Sequence, residues 1–330
     1  MAELLQIAFK ISLLLFMVGH LLAMGLRLDV PKALAGLRNI RFVGLSVLWG
    51  FVLCPALAYL LTMTVPLDPV YAMGLILLGM APGAPFLPKA VKWARGNLEY
   101  AAAFMLLTSV VTVAYMPLAV PLMVHGLSAS AWTIAKPLLY YVLLPLAIGI
   151  AIRRFSASAT ATLNPFVAKL NGVNLIAFLA LSAAVYWKEY IGAIGTHAIG
   201  AQLLFFAIAT VASYLLTFAL PQDQRSVLVL GICTRNIGPA MAPLFSIPGV
   251  DQRAIGMVAL GIPMQALFSI LASKWLARRS CANSPASSAP KGDRTCQPKQ
   301  QRWESDHEHC YRRSTFRAGT RPCIRQGDLG

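Results

Sequence analysis

Nine stretches of mostly apolar residues divide this chain: 6–26, 42–64, 70–95, 98–125, 131–152, 170–187, 198–220, 226–248 and 254–277. A helix needs about 20 apolar residues to cross a hydrocarbon core of about 30 Å, so each stretch is near or above the spanning length. With 58% hydrophobic and 12% charged residues and a mean hydropathy of +0.66, the chain suits a lipid solvent better than water. Inside a bilayer every backbone polar group must be paired within the protein, and only helices and closed barrels achieve that. The apolar stretches lack the period-two alternation of barrel strands. The sequence therefore predicts an all-α, polytopic membrane protein with about nine transmembrane helices.

The formal charge of +16 does not imply nucleic acid, because the basic residues are scattered between apolar stretches and not gathered on a soluble domain. They read as topology signals. With the N-terminus outside, one face receives Arg27, Lys32, Arg38, Arg41, Lys89, Lys92, Arg95, Arg153, Arg154, Lys169, Arg225, Lys274, Arg278 and Arg279, while the other receives Lys10, Lys136, Lys188 and Arg253. The positive-inside rule makes the richer face cytoplasmic and places the C-terminus there, in a cell membrane. Lys10 precedes an apolar run, but Glu3 and the lack of a convincing cleavage site argue for a retained first helix. The six cysteines do not form a secreted framework, since Cys54 and Cys233 lie in apolar stretches and the other four in a polar tail. That tail, 280–330, is rich in Ser, Pro, Arg, Lys and Gln and is expected to be disordered and cytoplasmic. Its Cys296, His307, His309 and Cys310 fit no standard zinc spacing, so no metal is expected.

Residues 59–88 align without a gap on residues 214–243, an offset of 155, with nine identities in thirty. Tyr59-Leu60-Leu61-Thr62 recurs as Tyr214-Leu215-Leu216-Thr217. Pro66, Asp68, Leu75, Gly83 and Pro88 match Pro221, Asp223, Leu230, Gly238 and Pro243. Such self-similarity marks a duplication. The two copies stand five spans apart, so they cross the membrane in opposite directions. Both carry a Gly/Pro break inside an apolar stretch: Pro82-Gly83-Ala84-Pro85 with Pro88 in the third span, and Gly238-Pro239 with Pro243 in the eighth. Paired broken helices in two inverted repeats point to a transporter's substrate site, although plain proline kinks would leave the same trace.

At these residues the chain resembles the bile acid:sodium symporter family from about 12 to 278. Met24-Gly25-Leu26-Arg27-Leu28, Gly74-Leu75-Ile76-Leu77-Leu78-Gly79 through Pro82-Gly83, Ala94-Arg95-Gly96-Asn97, and Arg235-Asn236 with Gly238 and Ala240 carry the likeness. The resemblance implies a panel domain (helices about 6–26 and 131–187) and a core domain (about 42–125 and 198–277) with two crossed, broken helices, together forming a transmembrane domain over 1–279. It also implies where sodium ligands would stand, and there this chain differs. Leu87-Pro88 replaces a Ser-Asn pair, Ala101 and Met105 replace hydroxyl residues, Gly231 replaces a Glu, and Arg235 replaces a Gln. A hard cation needs several oxygen ligands. Sodium coupling through the usual sites is therefore not expected, and no cofactor is implied.

Losing a carboxylate at 231 and gaining a guanidinium at 235 shifts the fixed charge by +2, which equals two sodium ions. The expected substrate contacts are Arg235, Thr234, Asn236, Gly83, Ala84, Pro85, Gly238 and Lys89, around an amphipathic organic anion. An Arg at membrane depth faces a cavity or a partner, and the alternative for Arg235 is that it snorkels or pairs with a buried carbonyl. Lys89 has an alternative as a topology charge beside Lys92 and Arg95, and Glu99 as their ion-pair partner. His20 reads as a proton relay or as a hydrogen-bonded core residue. Thr108, Ser109 and Thr112 are expected to bond backbone within their helix. The sequence thus favours a secondary transporter of a small organic anion working by alternating access. The alternative is a ligand sensor on a transporter scaffold. No HExxH or GxSxG motif and no paired intramembrane carboxylates organise catalysis, so an enzyme is not expected.

Overall fold

In the computed structural model, residues 2–124, 130–245 and 249–282 are described. They form α1 (Ala2–Arg27), α2 (Val30–Leu37), α3 (Ile40–Leu48), α4 (Cys54–Thr64), α5 (Pro69–Gly79), α6 (Leu87–Trp93), α7 (Leu98–Met123), α8 (Ala131–Leu138), α9 (Leu144–Phe155), α10 (Ala157–Gly192), α11 (Ala198–Leu215), α12 (Gln222–Cys233), α13 (Ile237–Phe245) and α14 (Gln252–Ala282). Among the described residues there is no strand. The tail expected over 280–330 lies outside them beyond Ala282. Met1–Leu276 make one compact unit, and Ala277–Gly330 divide off as a second whose described residues are the end of α14.

Among the described residues, seven helices are long and apolar enough to cross a membrane: Glu3–Arg27, Ile40–Thr64, Leu98–Met123, Ala131–Phe155, Ala157–Gly192, Ala198–Leu215 and Gln252–Ser280. The expected spans 70–95 and 226–248 are each two short helices, of 11 and 7 residues in α5 and α6 and of 12 and 9 residues in α12 and α13. The expected span 170–187 is the middle of a 36-residue α10 with non-helical angles at Tyr186. Its first turns follow the N-cap Ser156, which accepts from Ala159 N. Capping and propensity extend a helix past the bilayer, where a hydropathy window no longer sees it.

Two π turns interrupt otherwise continuous helices, Trp49–Leu53 between α3 and α4 and Leu139–Leu143 between α8 and α9. Each runs into a proline, Pro55 and Pro145. Proline lacks an N–H and crowds the carbonyl four residues back, and the wider turn removes that clash. The stretch between the first two expected spans contains α2, begun by Asp29, whose carboxylate accepts from Lys32 N at 3.3 Å.

α1 packs against α9 and α10. Lipid offers no hydrophobic drive between helices, so close approach and interhelical hydrogen bonds supply it. Gly25 and Gly149 meet face to face: a Cβ on Gly25 would stand 2.5 Å from the Leu146 carbonyl oxygen, and one on Gly149 2.5 Å from that of Leu22. Ser12 Oγ donates to Asn174 Oδ1, and Asn174 Nδ2 donates to the Ser12 carbonyl, both at 2.9 Å. Elsewhere α4 packs on α5, α11 on α12, and α7 on α2 and α12.

Gly25→Leu is expected to lower the thermal-unfolding midpoint in detergent, because overpacking a tight contact costs about 1–3 kcal/mol. Gly172→Ala, with nothing within 4 Å of the added carbon, is the control and should leave the midpoint unchanged or slightly raised.

Candidate functional site

The chain leaves helix between Met80 and Phe86 and again from Thr234 to Asn236. The first break is where Pro82-Gly83-Ala84-Pro85 placed it. The second lies just before Gly238-Pro239: Pro239 stands in the first turn of α13 and Pro243 inside it, while Pro88 opens α6. Proline in a first turn gives up an N–H that no helix uses, so Pro88 and Pro239 start helices after a break without causing one.

The two breaks lie against each other and exchange the backbone bonds that the helices lost. Pro82 and Arg235 form an antiparallel bridge. Asn236 N donates to Ala81 O at 2.8 Å, and Gly83 N donates to Thr234 O at 3.0 Å and Gly231 O at 3.2 Å. Ala84 N donates to Thr234 Oγ1 at 3.3 Å, and that hydroxyl donates to Leu230 O at 2.8 Å. Gly83 has φ of +81°, open to glycine at little cost, and an added Cβ would meet Thr108 Oγ1 at 2.8 Å. Thr108 itself donates to Phe104 O at 2.8 Å, the within-helix bond expected for it.

Arg235 is fully buried. Its Nη1 donates to Gly79 O at 3.2 Å and its Nη2 to Cys54 Sγ at 2.8 Å. Phe205 lies under the guanidinium, 5.1 Å from ring centroid to Cζ. Its backbone N donates to Gln265 Oε1 at 2.6 Å, and its Nε has no hydrogen-bond partner among the described residues. Gly79 ends α5, where unpaired carbonyls carry the negative pole of the helix dipole. The guanidinium thus complements helix-end carbonyls, and no carboxylate is bonded to it among the described residues. Cys54 reaches it because the first π turn delivers α4 there.

The substituted position 231 is physically filled. A Cβ on Gly231 would stand 2.4 Å from Phe104 Cε1, so the Phe104 ring occupies the space of any larger side chain. At Gly238 the corresponding space holds Met17, whose Cγ would be 2.4 Å from the added carbon.

Beside the first break, a cavity of about 500 Å³ opens between α1, α6, α7 and α10. Among the expected contacts, Pro85 and Lys89 line it, with Pro88; Arg235, Thr234, Asn236, Gly83, Ala84 and Gly238 do not. The rest of its polar wall is His20, Arg27 and Asn171, with no carboxylate among the described residues. Arg27 Nε donates to Asn164 Oδ1 at 2.7 Å, and Lys89 Nζ sits 5.4 Å from the Trp93 ring centroid. His20 Nδ1 is 2.9 Å from Phe16 O. Glu99 pairs with Lys32 at 3.3 Å, outside this wall. Sequence reasoning treated Arg27 as a topology charge and missed Asn171, because no motif connects residues from α1, α6 and α10.

Arg235→Ala should lower the unfolding midpoint by an amount equivalent to about 2–5 kcal/mol, the range for emptying a buried site. Arg235→Lys should fail to restore it, since an ammonium lacks the fork that spans Gly79 O and Cys54 Sγ. Thermal unfolding in detergent checks both, and an unchanged midpoint for Ala would show that the guanidinium holds nothing.

Comparison with curated proteins gave no match. Comparison with protein families gave one, over residues 12–195, from within α1 to just past α10, which includes the first break and stops short of the second. With that match over more than half of the chain and, among the described residues, seven helices long and apolar enough to cross a bilayer, this multi-pass membrane protein belongs to the Sodium Bile acid symporter family.

Proposed function

We propose that the protein is a secondary transporter of a small organic anion, that it works by alternating access, and that it is not coupled to sodium through the positions its family resemblance marks. The observation that carries this reading is the cavity beside the first break, which has Arg27 and Lys89 in its wall and no carboxylate. Exposed cations at the rim of a cavity attract an anion, and the surrounding apolar side chains suit a ligand with a hydrophobic body. The anchored charge is close to the crossing, while the substrate sits beside it.

Two groups of helices flank that cavity. α1, α9 and α10 pack together and correspond to the panel. The remaining long helices and the broken pairs correspond to the core. Within the core, α3 to α7 (with α3 and α4 joined through the first π turn as one long span) and α11 to α14 repeat one order of long helix, two short helices around a break, and long helix. That order, with the nine identities at offset 155, supports an inverted repeat of nine spans. Movement of the core against the panel would open the cavity to each side in turn. The distribution of basic residues supports an outside N-terminus and a cytoplasmic C-terminus.

Two contacts support the absence of sodium coupling. Phe104 fills the space where a carboxylate at 231 would extend, and the Arg235 guanidinium already bonds the α5 carbonyl end that a cation would otherwise neutralise. A permanent charge replaces a diffusible one. Arg235 on this reading is a positioning residue that joins the two breaks, and Arg27 and Lys89 are the charges that meet the substrate.

The test is uptake of labelled aliphatic carboxylates, aryl sulfonates and steroid sulfates into proteoliposomes, with and without a sodium gradient. Uptake of at least one class should be independent of sodium, and Lys89→Gln or Arg27→Gln should raise its KM at least tenfold, about 1.4 kcal/mol. Stimulation by sodium would overturn the coupling assignment. Binding without flux under every condition would make the protein a ligand sensor and not a transporter.

A further inference from the structure

Lys10, Leu13, Met17, His20, Met24 and Arg27 recur at spacings of three and four, so they form one stripe along α1. The part from His20 onward lines the cavity described above. The part from Lys10 to Met17 lines a second cavity, of about 380 Å³, completed by α8, the second π turn and α13. Lys10 and Arg27 are seventeen residues apart, about 26 Å along the helix, which approaches the roughly 30 Å thickness of a hydrocarbon core. The two cavities therefore belong to opposite halves of the membrane. Between them α1 touches α13, and Met17 occupies the space that any residue larger than glycine would need at 238.

The second cavity has two lysines in its wall, Lys10 and Lys136, and no carboxylate among the described residues. Lys10 Nζ lies 6.0 Å from the centroid of Phe245, another wall residue. Topology leaves this side of the protein nearly bare of basic residues, so their placement needs a cause. Of the four there, Arg253 pairs with Asp68 at 2.9 Å and Asp251 at 2.8 Å, an arrangement that holds the Asp251 carboxyl below its ordinary range, chiefly through the Arg253 hydrogen bond. Lys188 lies over Trp187, 5.7 Å from its centroid. The other two converge on one cavity. Like charges sharing an apolar-walled space repel, and an anion between them relieves that repulsion. Tyr140 and Tyr141, set by the π turn, add two phenols to the same wall.

We infer that this cavity is a second anion-binding chamber, for an organic carboxylate or sulfonate with an apolar body, on the same pathway as the first. Lys10 and Lys136 hold the charge, and Met17 seated on Gly238 is the barrier between the chambers. The pathway, though not the anion site itself, rests on the transporter reading.

The test uses the full chain with Cys281, Cys296, Cys310 and Cys323 replaced by Ser, which leaves the buried Cys54 and Cys233, in phosphatidylcholine vesicles of defined orientation. Leu14→Cys reports on the second chamber and Ala102→Cys on the first, each titrated with a membrane-impermeant maleimide. The two should react from opposite sides, and Met17→Gly should let Leu14→Cys react from both. Naphthalene-2-sulfonate should slow labelling of Leu14→Cys at least tenfold, whereas neutral 2-naphthylmethanol should not. Combining Lys10→Gln with Lys136→Gln should abolish protection while leaving Ala102→Cys labelling intact, which shows the variant is folded.

Reaction of both reporters from one side, equal protection by the neutral compound, or protection that survives loss of both lysines would overturn the inference. So would slowed labelling on adding phosphatidylglycerol with no effect of the sulfonate, since the lysines would then hold a lipid headgroup. Sulfonate protection without flux in the uptake assay would sink the transporter reading and leave the anion site standing; flux without protection would sink the chamber alone.

Discussion

The contact between the two helix breaks is the constraint on which the rest of the structure depends. A break inside a bilayer strips backbone N–H and C=O groups of their partners, and no water in the hydrocarbon core can replace them. Here Gly83 and Ala84 in one break and Thr234 and Asn236 in the other supply the missing partners. Neither break is satisfied alone. The elements that bring them together, α4 with α5 and α11 with α12, are therefore required to hold a common geometry, and the cavity beside the first break inherits it.

Arg235 adds an electrostatic layer to that backbone exchange. An Arg at membrane depth costs at least about 2.5 kcal/mol on insertion scales, and here its compensation comes from a carbonyl, a thiol and an aromatic face and not from a carboxylate. The guanidinium remains a net positive charge where two helices end. Arg235 is fully buried and lines neither cavity. The charges that reach open space are carried by other helices, Arg27 on α1 and Lys89 on α6.

The two π turns show how irregular helix serves both regions. Each accommodates a proline, and each shifts the residues near it out of helical register. The first places Cys54 on Arg235, and the second places Tyr140 and Tyr141 at a cavity wall. Glycine acts in the complementary way: Gly25 with Gly149 lets α1 approach α9, and Gly238 lets Met17 close against α13.

The sequence by itself determined that the chain is helical and membrane-spanning, because hydropathy over 20 residues and the demand for internal hydrogen bonding are local properties. It also located the first break and the family, since Pro82-Gly83 and the motifs around it are contiguous. The second break lies just ahead of Gly238-Pro239, because a proline in the first turn begins α13 after the chain has already left helix. The environment of Arg235 was not legible. Whether a buried guanidinium meets a ligand or a carbonyl depends on Gly79 and Cys54, more than 150 residues away. The cavities were hidden for the same reason. Lys10, Lys136, Arg27 and Asn171 read singly as topology charges and an ordinary amide, and only the packing of α1 against its neighbours gathers them, with the expected contact Lys89, into two walls.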